Sequence, residues 1–449
     1  MIKELHLQHV GPAPRFDIAF ARRLNLLTGD NGLGKTFLLD VAWWALTGTW
    51  AGDPAWPARR ESARISYRLA NSTHADLLTS HFDVARQDWS APTPATAHDL
   101  VIYARVDTGF SVYDPARNEP RAAGTPGAAL AALPAAFHFT AAALWNGLEV
   151  NGKVLCNGLI DDWLRWQYMP SSAPADQPTI TQETYTVGSV SGHITRFRPP
   201  PPFKVFTQVL KQLSPHPGEM IEPGQPTRVS IEDVRDIPTI NLPYGNVPIT
   251  HASAGMKRIM GLAYLLVWAW YEHQQAAYLR EGPPTNRLVL LIDEVEAHLH
   301  PRWQRSIVPA LLDVAAALNP QMQTQIITTT HAPLVPASVE PYFDTTRDRL
   351  FLFDLPADNR VNLREIPWSK QGDTVNWLVS DVFGLRQARS KEAEAAIEAA
   401  EALMRGEAMG NYPEHLRTRE QIHAELLRLL PGHDPFWPRW IVTTQVGAA

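Results

Sequence analysis

Apolar and polar residues along the chain form two kinds of pattern, and together they predict an α/β fold. Residues 2–7 and 16–20 alternate apolar with polar side chains, as half-buried strands do. Residues 24–28 and 287–292 are almost continuously apolar, which indicates strands buried on both faces of a parallel sheet. The two alternating strands and the strand at 24–28 are expected to form a small sheet in front of the loop that follows residue 28.

Further strands and helices are predicted on both sides of the middle of the chain. Alternation and β-branched residues predict an antiparallel meander of four strands, at residues 63–69, 79–85, 100–106 and 110–113. Another strand is predicted at residues 325–331, and a hairpin at 350–355 and 361–366. Helices are predicted at residues 37–44, 156–167, 203–213, 259–270, 302–318, 375–383, 391–404 and 414–430.

Proline and glycine interrupt the middle of the chain more often than its two ends. Residues 115–134 are rich in Ala, Pro and Gly and are interpreted as a linker. The whole of residues 115–249 is interpreted as an insertion that is part helical and part irregular. The predicted organisation is a first lobe at 1–114, the insertion at 115–249, a second lobe at 250–367 and a helical extension at 368–449.

Composition narrows the class of protein. The chain has 449 residues, of which 45% are hydrophobic and 19% charged, so it is globular rather than disordered. Its net charge of −6 gives no global attraction to nucleic acid or anionic lipid. The single cysteine, Cys156, excludes an internal disulfide and suits a reducing cytosol. The longest apolar run, residues 259–270, is shorter than the roughly 20 residues that cross a bilayer, and no signal-peptide core begins the chain, so a cytoplasmic protein is expected.

Residues 29–36 read GDNGLGKT, which fits the phosphate-binding pattern G-x-x-x-x-G-K-[ST] between a strand and a helix. Its glycines let successive N–H groups face phosphate oxygens, and the new helix adds the positive end of its dipole. Lys35 would reach the β- and γ-phosphates, and Thr36 would place its hydroxyl on Mg²⁺. The predicted nucleotide contacts are Asp30, Asn31, Gly32, Leu33, Gly34, Lys35, Thr36 and Phe37. From position, Arg15 or Phe16 would touch the base.

Asp293 and Glu294 end the second buried strand. Phosphoryl transfer needs a metal that neutralises charge and a carboxylate that orients the nucleophile. Asp293 would therefore hold Mg²⁺, and Glu294 would act as the general base toward water. The alternative, an acidic pair that caps the next helix, is less favoured beside a phosphate loop. His331, at the tip of the strand predicted at 325–331, would sense the γ-phosphate.

The order of these motifs resembles an ABC-type ATPase head, and within that class the SMC/RecF/OLD-like branch of bacterial DNA-repair and anti-phage defence ATPases. The resemblance rests on the phosphate loop, SAGMKR at 253–258, the Asp-Glu pair with EAHLHP at 296–301, and TTHAPL at 329–334. It implies a P-loop NTPase with a mixed central sheet, an antiparallel β-subdomain, an inserted partly helical region and a helical C-terminal tail.

The same resemblance places Ser253 and Gly255 in the signature motif, which in the family completes the nucleotide site of a second subunit. Ala254 and Met256 replace the second glycine and the glutamine of that motif. The glutamine that usually senses Mg²⁺ has two candidates, Gln87 and Gln167. A separate transition-metal cluster is a less favoured interpretation of three residues after the acidic pair, Glu296, His298 and His300.

The function expected from these motifs is a Mg²⁺-dependent ATPase that forms a homodimer around ATP and controls an effector protein in trans, in anti-phage defence. The alternative is a DNA-repair or DNA-binding ATPase of RecF/SMC type, and nucleic-acid binding stays open. A transporter subunit is disfavoured because its loop-to-signature spacing is generally much shorter than that between Lys35 and Ser253. A fused nuclease is disfavoured because the acidic residues after His331 lack a D-x-D pattern; they include Asp354, Asp358 and Asp373.

Overall fold

A computed structural model describes most of the chain. The described residues are 1–70, 77–90, 98–118, 134–169, 179–187, 190–198, 201–215, 220–357 and 359–446, with only the backbone given for 179–187, 190–198 and 443–446. Most of the predicted linker at 115–134, and Asp358, lie outside them. The chain divides into two compact units, Met1–Gly372 and Asp373–Ala449.

The elements are numbered in chain order. The strands are β1 Ile2–Gln8, β2 Arg15–Ala19, β3 Leu24–Gly29, β4 Arg64–Leu69, β5 Leu78–Asp83, β6 Asp88–Trp89, β7 Leu100–Ala104, β8 Phe110–Tyr113, β9 Phe137–Phe139, β10 Leu148–Val150, β11 Lys153–Cys156, β12 Thr179–Val187, β13 Val190–Arg198, β14 Glu222–Pro223, β15 Thr227–Arg228, β16 Asp236–Ile237, β17 Thr239–Leu242, β18 Gly245–Pro248, β19 Arg287–Ile292, β20 Gln323–Thr329, β21 Asp348–Asp354 and β22 Asn362–Ile366. The α-helices are α1 Lys35–Thr47, α2 Pro115–Asn118, α3 Ala141–Asn146, α4 Leu159–Tyr168, α5 Pro202–Leu213, α6 Ala254–Leu279, α7 Pro301–Gln304, α8 Ile307–Leu318, α9 Leu334–Val339, α10 Thr374–Val379, α11 Lys391–Met404, α12 Arg419–Leu429 and α13 Phe436–Val446.

An eight-stranded mixed sheet forms the centre of the first unit, in the order β22-β21-β3-β20-β19-β7-β8-β9. The five strands from β21 to β7 run parallel. β22 and β8 run antiparallel to these five strands, and β9 is antiparallel to β8. β3 and β19 are almost wholly buried, as their mainly apolar sequences predict, and the last five residues of β20 are buried too. The carboxyl ends of parallel strands meet at one edge of a sheet, where α/β proteins bind ligands.

A second, antiparallel sheet has the order β2-β1-β4-β5-β6. The prediction that β1 and β2 share a small sheet with the strand at 24–28 is wrong, because β3 is apolar on both faces and pairs with β20 and β21 in the central sheet. The predicted four-stranded meander is also wrong in part. β4 and β5 pair with each other, but β7 is buried throughout and lies parallel to β19 in the central sheet.

Helices cover the central sheet and complete its core. α1 contacts strands of both sheets, and most of its residues are buried, so the helix that opens the phosphate loop is held on two sides. Two further helices contact strands of the central sheet: α6 contacts β7, and α8 contacts β20. α5 in turn contacts both α6 and α8. In the described part of the chain, no helix combines the length and hydropathy that a bilayer span requires.

Several predicted helices differ in extent from the observed ones, and those predicted at 259–270 and 302–318 differ most. α6 extends beyond the predicted 259–270 at both ends, starting after its N-cap Ser253. The helix predicted at 302–318 is interrupted, and α7 and α8 are separated at Arg305 and Ser306. Pro309 explains the break, since a proline ring clashes with the carbonyl four residues earlier, here that of Arg305.

The predicted insertion contains more strand than its sequence indicated. Helices α2 to α5 lie within it, together with the hairpins β10–β11 and β12–β13 and the short strands β14 to β18. Most of these strands have only two to four residues, which is too short for an alternating pattern to stand out. The region is thus partly helical, as predicted, and partly β-structure instead of irregular.

The second unit is helical, as predicted. A core of its own joins α11, α12 and α13, and it includes Trp437 and Trp440. Arg389 Nη2 donates to Asp434 Oδ1 at 3.0 Å and ties the segment before α11 to the segment before α13.

Candidate functional site

The phosphate loop connects β3 to α1 in a conformation that only glycine adopts easily. Gly29 and Gly34 have φ values of 129° and 97°. A Cβ on Gly29 would lie 2.1 Å from the carbonyl oxygen of Phe353, and one on Gly34 would lie 2.6 Å from Pro12 Cγ. Asp30, Asn31 and Gly32 are exposed at the tip of the loop, as a ligand contact requires, whereas the Leu33 side chain is buried in the core.

Lys35 is the first residue of α1, and its ammonium group lies inside the loop. Nζ donates to the carbonyl oxygens of Gly29 at 2.9 Å and Asp30 at 2.7 Å. Burial lowers the pKa of Lys35, while the negative charges of Glu294 and Asp293 act in the opposite direction. The loop therefore surrounds a cation beside the N-terminus of a helix, an arrangement that favours phosphate.

Asp293 links three segments of the chain at the carboxyl edge of the central sheet. Its Oδ2 accepts from Thr36 Oγ1 at 2.8 Å, and its Oδ1 accepts from Thr329 Oγ1 at 2.7 Å. The predicted pair Thr36 and Asp293 is thus in direct contact. A hydroxyl and a carboxylate beside a phosphate loop supply the oxygen ligands that Mg²⁺ takes in such sites, so these residues fit the metal expected there.

Glu294 has a left-handed backbone, with φ of 47°. A non-glycine residue in this region is uncommon and marks a local strain that surrounding bonds must hold. The Glu294 N–H donates to Thr329 Oγ1 at 2.7 Å, and Arg258 donates to the Glu294 carbonyl at 3.2 Å. Its half-exposed carboxylate lies 3.8 Å from Nε2 of His331. The structure therefore brings Glu294 and His331 together next to Asp293.

Thr329 is a site residue that the sequence analysis did not identify, because three consecutive threonines gave no sign of which one faces the acidic pair. We expect Thr329→Val to lower the rate of the nucleotide hydrolysis predicted for this site about tenfold. The strained backbone of Glu294 loses the acceptor of its N–H, and Asp293 loses a hydrogen-bond donor. Thr328→Val is the matched control, since Thr328 Oγ1 donates to the Ile292 carbonyl at 2.9 Å and touches neither acid.

Both threonine variants should lose about 1–3 kcal/mol of unfolding free energy, measured by chemical denaturation, because each leaves a buried partner without a hydrogen bond. Only Thr329→Val should lower the rate of nucleotide hydrolysis, measured as the phosphate released per folded enzyme molecule. Equal rates in the two variants would show that the Thr329 hydroxyl is purely structural.

Arg258 is a second residue that the sequence analysis missed as a site component, although it belongs to the signature segment. Its Nη2 donates to the carbonyl oxygens of Asp293 at 2.8 Å and Glu294 at 3.2 Å. Burial lowers the pKa of this guanidinium, and Asp293 is the largest of the opposing charges. The N-terminal part of α6 is thereby fixed to the backbone of the acidic pair.

Ser253 and Gly255 lie where α6 begins. The exposed Ser253 caps the helix, with Oγ accepting from the Met256 N–H at 3.3 Å. A Cβ on Gly255 would lie 2.7 Å from the His298 carbonyl oxygen, so only glycine lets the loop after Glu294 pack this closely. The signature segment and the acidic pair of one chain therefore form a single surface at this edge.

Asp40, one helical turn after Thr36, is a further acidic side chain beside the predicted site. Its Oδ1 accepts from the Tyr103 hydroxyl at 3.0 Å. Burial raises the pKa of Asp40 to about 6, although the hydrogen bond from Tyr103 acts in the opposite direction. Its position on α1 was visible in the sequence, but its proximity to β7 was not, because β7 was assigned to a different sheet.

The side chains of other candidates make contacts elsewhere. The Gln87 amide donates to the carbonyl of Val84, and that of Gln167 to the carbonyl of Gly224. Phe16 is buried against Phe353, and Arg15 is paired with Asp17, which argues against a base contact for either.

The residues of the two disfavoured interpretations, a transition-metal cluster and a nuclease site, also have structural roles. Glu296 Oε1 accepts from the His331 N–H at 2.5 Å, and His300 caps α7. No group of three or more metal-ligating His, Cys, Asp or Glu side chains occurs among the residues that the structure describes. Asp354 pairs with Arg364, and Asp373 caps α10.

Comparison with known proteins identifies the family of this chain. Residues 239–337 match a family described as "AAA domain, putative AbiEii toxin, Type IV TA system". The Septu protein PtuA of Bacillus thuringiensis is 32% identical over 416 residues, which cover 87% of this chain and 86% of that protein. The chain belongs to the PtuA family. The matched AAA domain and the homologue in the Septu system agree with the predicted class of P-loop ATPase.

Solved structures similar to this PtuA-family chain include two SMC heads and an ABC protein. The SMC head domain from Thermotoga maritima aligns with a TM-score of 0.33 and 14% identity, over 82% of this chain and 99% of that one. An SmcHead bound to the C-winged helix domain of ScpA gives 0.36 and 13%, over 82% and 98%. The protein cbiO1 from Clostridium perfringens, part of the ABC transporter complex cbiONQ, gives 0.30 and 14%, over 81% and 89%.

Proposed function

We propose that this PtuA-family chain is a Mg²⁺-dependent ATPase that pairs with a second copy around ATP and thereby controls an effector protein in anti-phage defence. The direct contacts from Thr36 and Thr329 to Asp293, with Glu294 and His331 alongside, carry the proposal. Family membership supports the defence role, since the relative is named a Septu protein.

The chemistry follows from what each side chain can do. Lys35 binds and orients phosphate oxygens, and the N-terminus of α1 adds its dipole. Bound Mg²⁺, held by Thr36 and Asp293, would neutralise charge that develops on the phosphates. Glu294 accepts a proton from the attacking water. His331 donates a hydrogen bond to the γ-phosphate; its Nε2 lies 3.8 Å from the Glu294 carboxylate.

The dimer is proposed from the exposed start of α6. Ser253 offers a hydroxyl and a helix N-terminus toward solvent, and α6 has 26 residues, so its dipole is well developed. A γ-phosphate in the phosphate loop of a second copy would fit this anion site. Because a closed two-fold pair uses the same surface twice, each copy would complete the site of the other.

The test of dimerisation compares two helix-capping serines in a chain that also carries Glu294→Gln, which prevents turnover. Ser253→Arg should bind ATP but remain monomeric by light scattering with ATP and Mg²⁺, because the long cation blocks the shared surface. Ser390→Arg is the matched control, since exposed Ser390 caps α11 through the same kind of bond, at 3.2 Å to the Ala393 N–H.

Each substitution removes a helix cap worth about 1 kcal/mol, so a general loss of stability should affect both variants alike. We expect an ATP-dependent dimer for Ser390→Arg and none for Ser253→Arg. A monomer in both, or a dimer in both, would contradict the proposed interface at Ser253.

A further inference from the structure

A cavity of about 290 Å³ opens beside the phosphate loop, and none of the functions above uses it. Its lining includes Gly11, Phe37, Asp40, Trp50, Asp53 and Trp56. Its size lies near the lower end of the range for ligand pockets, about 300–1,000 Å³. Apolar aromatic walls with a few polar groups are also typical of small-molecule sites.

The cavity adjoins the phosphate loop through Phe37. Phe37 directly follows Lys35 and Thr36, so one wall continues the phosphate site. The Phe37 ring is packed against Gly11, where a Cβ would lie 2.3 Å from Phe37 Cε1. The Gly11 N–H donates to the Trp56 carbonyl at 3.4 Å, which joins the two loops that enclose the cavity.

Two tryptophans of the loop after α1 suit an aromatic base. The Trp56 side chain is 63% exposed, an unusual position for a large indole, and the Arg60 guanidinium lies 5.2 Å from its ring centroid. Trp50 is held by stacking on Trp44, with centroids 5.3 Å apart. In the described residues, the buried Trp50 Nε1 has no hydrogen-bond partner, which leaves a donor for a ligand.

The polar groups of the cavity distinguish between purines. Adenine presents an amino donor at N6 next to an acceptor at N7, whereas guanine and hypoxanthine present two acceptors, O6 and N7. The Asp53 carboxylate accepts hydrogen bonds, and the indole of Trp50 donates one. A carboxylate opposite O6 would place two acceptors together, so this lining favours adenine.

We propose that this cavity holds the adenine base of the nucleotide, with Trp56 stacking on the base, Asp53 accepting from N6 and Trp50 donating to N7. The inference rests on the proposed function, because it names the base that the same nucleotide site recognises. It moves base recognition from Arg15 and Phe16 to the loop after α1.

The test measures binding of ADP and IDP to the full-length protein by calorimetry, since diphosphates avoid turnover and differ in the group at position 6. We expect ADP to bind more tightly than IDP. Asp53→Asn should reduce that preference about tenfold, because an amide can donate to O6. The ratio is informative because removing a charge near phosphate affects both ligands equally. Asp381→Asn, an exposed aspartate of the second unit, is the control and should leave the ratio unchanged.

Stacking is tested separately with Trp56→Ala, which should weaken ADP and IDP alike by about tenfold, with recovery in Trp56→Phe. An unchanged ADP-to-IDP ratio in Asp53→Asn, or unchanged ADP affinity in Trp56→Ala, would overturn the base site while leaving the ATPase proposal intact. A native protein that binds neither nucleotide would overturn the proposed function itself.

Discussion

Replacement of Glu294 by glutamine is expected to lower the rate of ATP hydrolysis about 10²- to 10⁴-fold while ATP still binds. The amide has the shape of the carboxylate but cannot take a proton from water. The backbone should keep its left-handed conformation, because the bonds from Glu294 N–H to Thr329 and from Arg258 to the Glu294 carbonyl involve no atom of the side chain. Phosphate release measures turnover, and calorimetry with ATP measures binding.

Glu296→Gln is the matched control for this variant. Glu296 Oε1 accepts from the His331 N–H, and a glutamine amide oxygen can accept the same bond, so turnover should stay close to native.

Since uncleaved ATP persists in the Glu294→Gln protein, light scattering should also show a stable dimer. Turnover at the native rate in Glu294→Gln would exclude Glu294 as the general base.

Replacement of Lys35 by methionine should weaken ATP binding about a hundredfold. The side chain keeps its approximate length, but the phosphates lose the buried ammonium that now donates to the Gly29 and Asp30 carbonyls. Asp293 and Glu294 also lose a counter-charge, which increases repulsion of a triphosphate. Calorimetric titration with ATP and Mg²⁺ measures the change directly.

Lys211→Met serves as the control, because Lys211 is exposed in the last turn of α5 and should not affect ATP affinity. Thermal unfolding of both variants separates a binding defect from a folding defect. A folded Lys35→Met protein with native ATP affinity would remove the phosphate loop from the proposed site.

The sequence predicted the contact between the phosphate loop and the Asp-Glu pair better than it predicted the arrangement of the sheets. The phosphate loop and the Asp-Glu pair each follow a buried strand, and parallel strands bring such ends together, so the contact between Thr36 and Asp293 was foreseeable. The assignment of β7 to the meander was wrong because an apolar run of five residues fits an antiparallel meander strand and a central parallel strand equally well.

Residues that act through tertiary contacts could not be identified in the sequence. Arg258 meets the backbone of Asp293 and Glu294, and Thr329 meets Asp293, only after α6 and β20 have packed beside β19. The cavity next to Phe37 likewise depends on two loops, around Gly11 and Trp56, that are distant in sequence. Such sites arise from the fold, since no local motif spans their parts.

The central place of β3 has a consequence for biogenesis. Its two hydrogen-bonded neighbours are β20 and β21, which the ribosome synthesises roughly three hundred residues after β3. Until Gln323–Thr329 and Asp348–Asp354 emerge, the nascent chain carries an apolar strand with both edges unpaired, which is a hazard for aggregation. Nucleotide affinity should therefore appear late in synthesis, and chaperone capture of shorter chains should precede it.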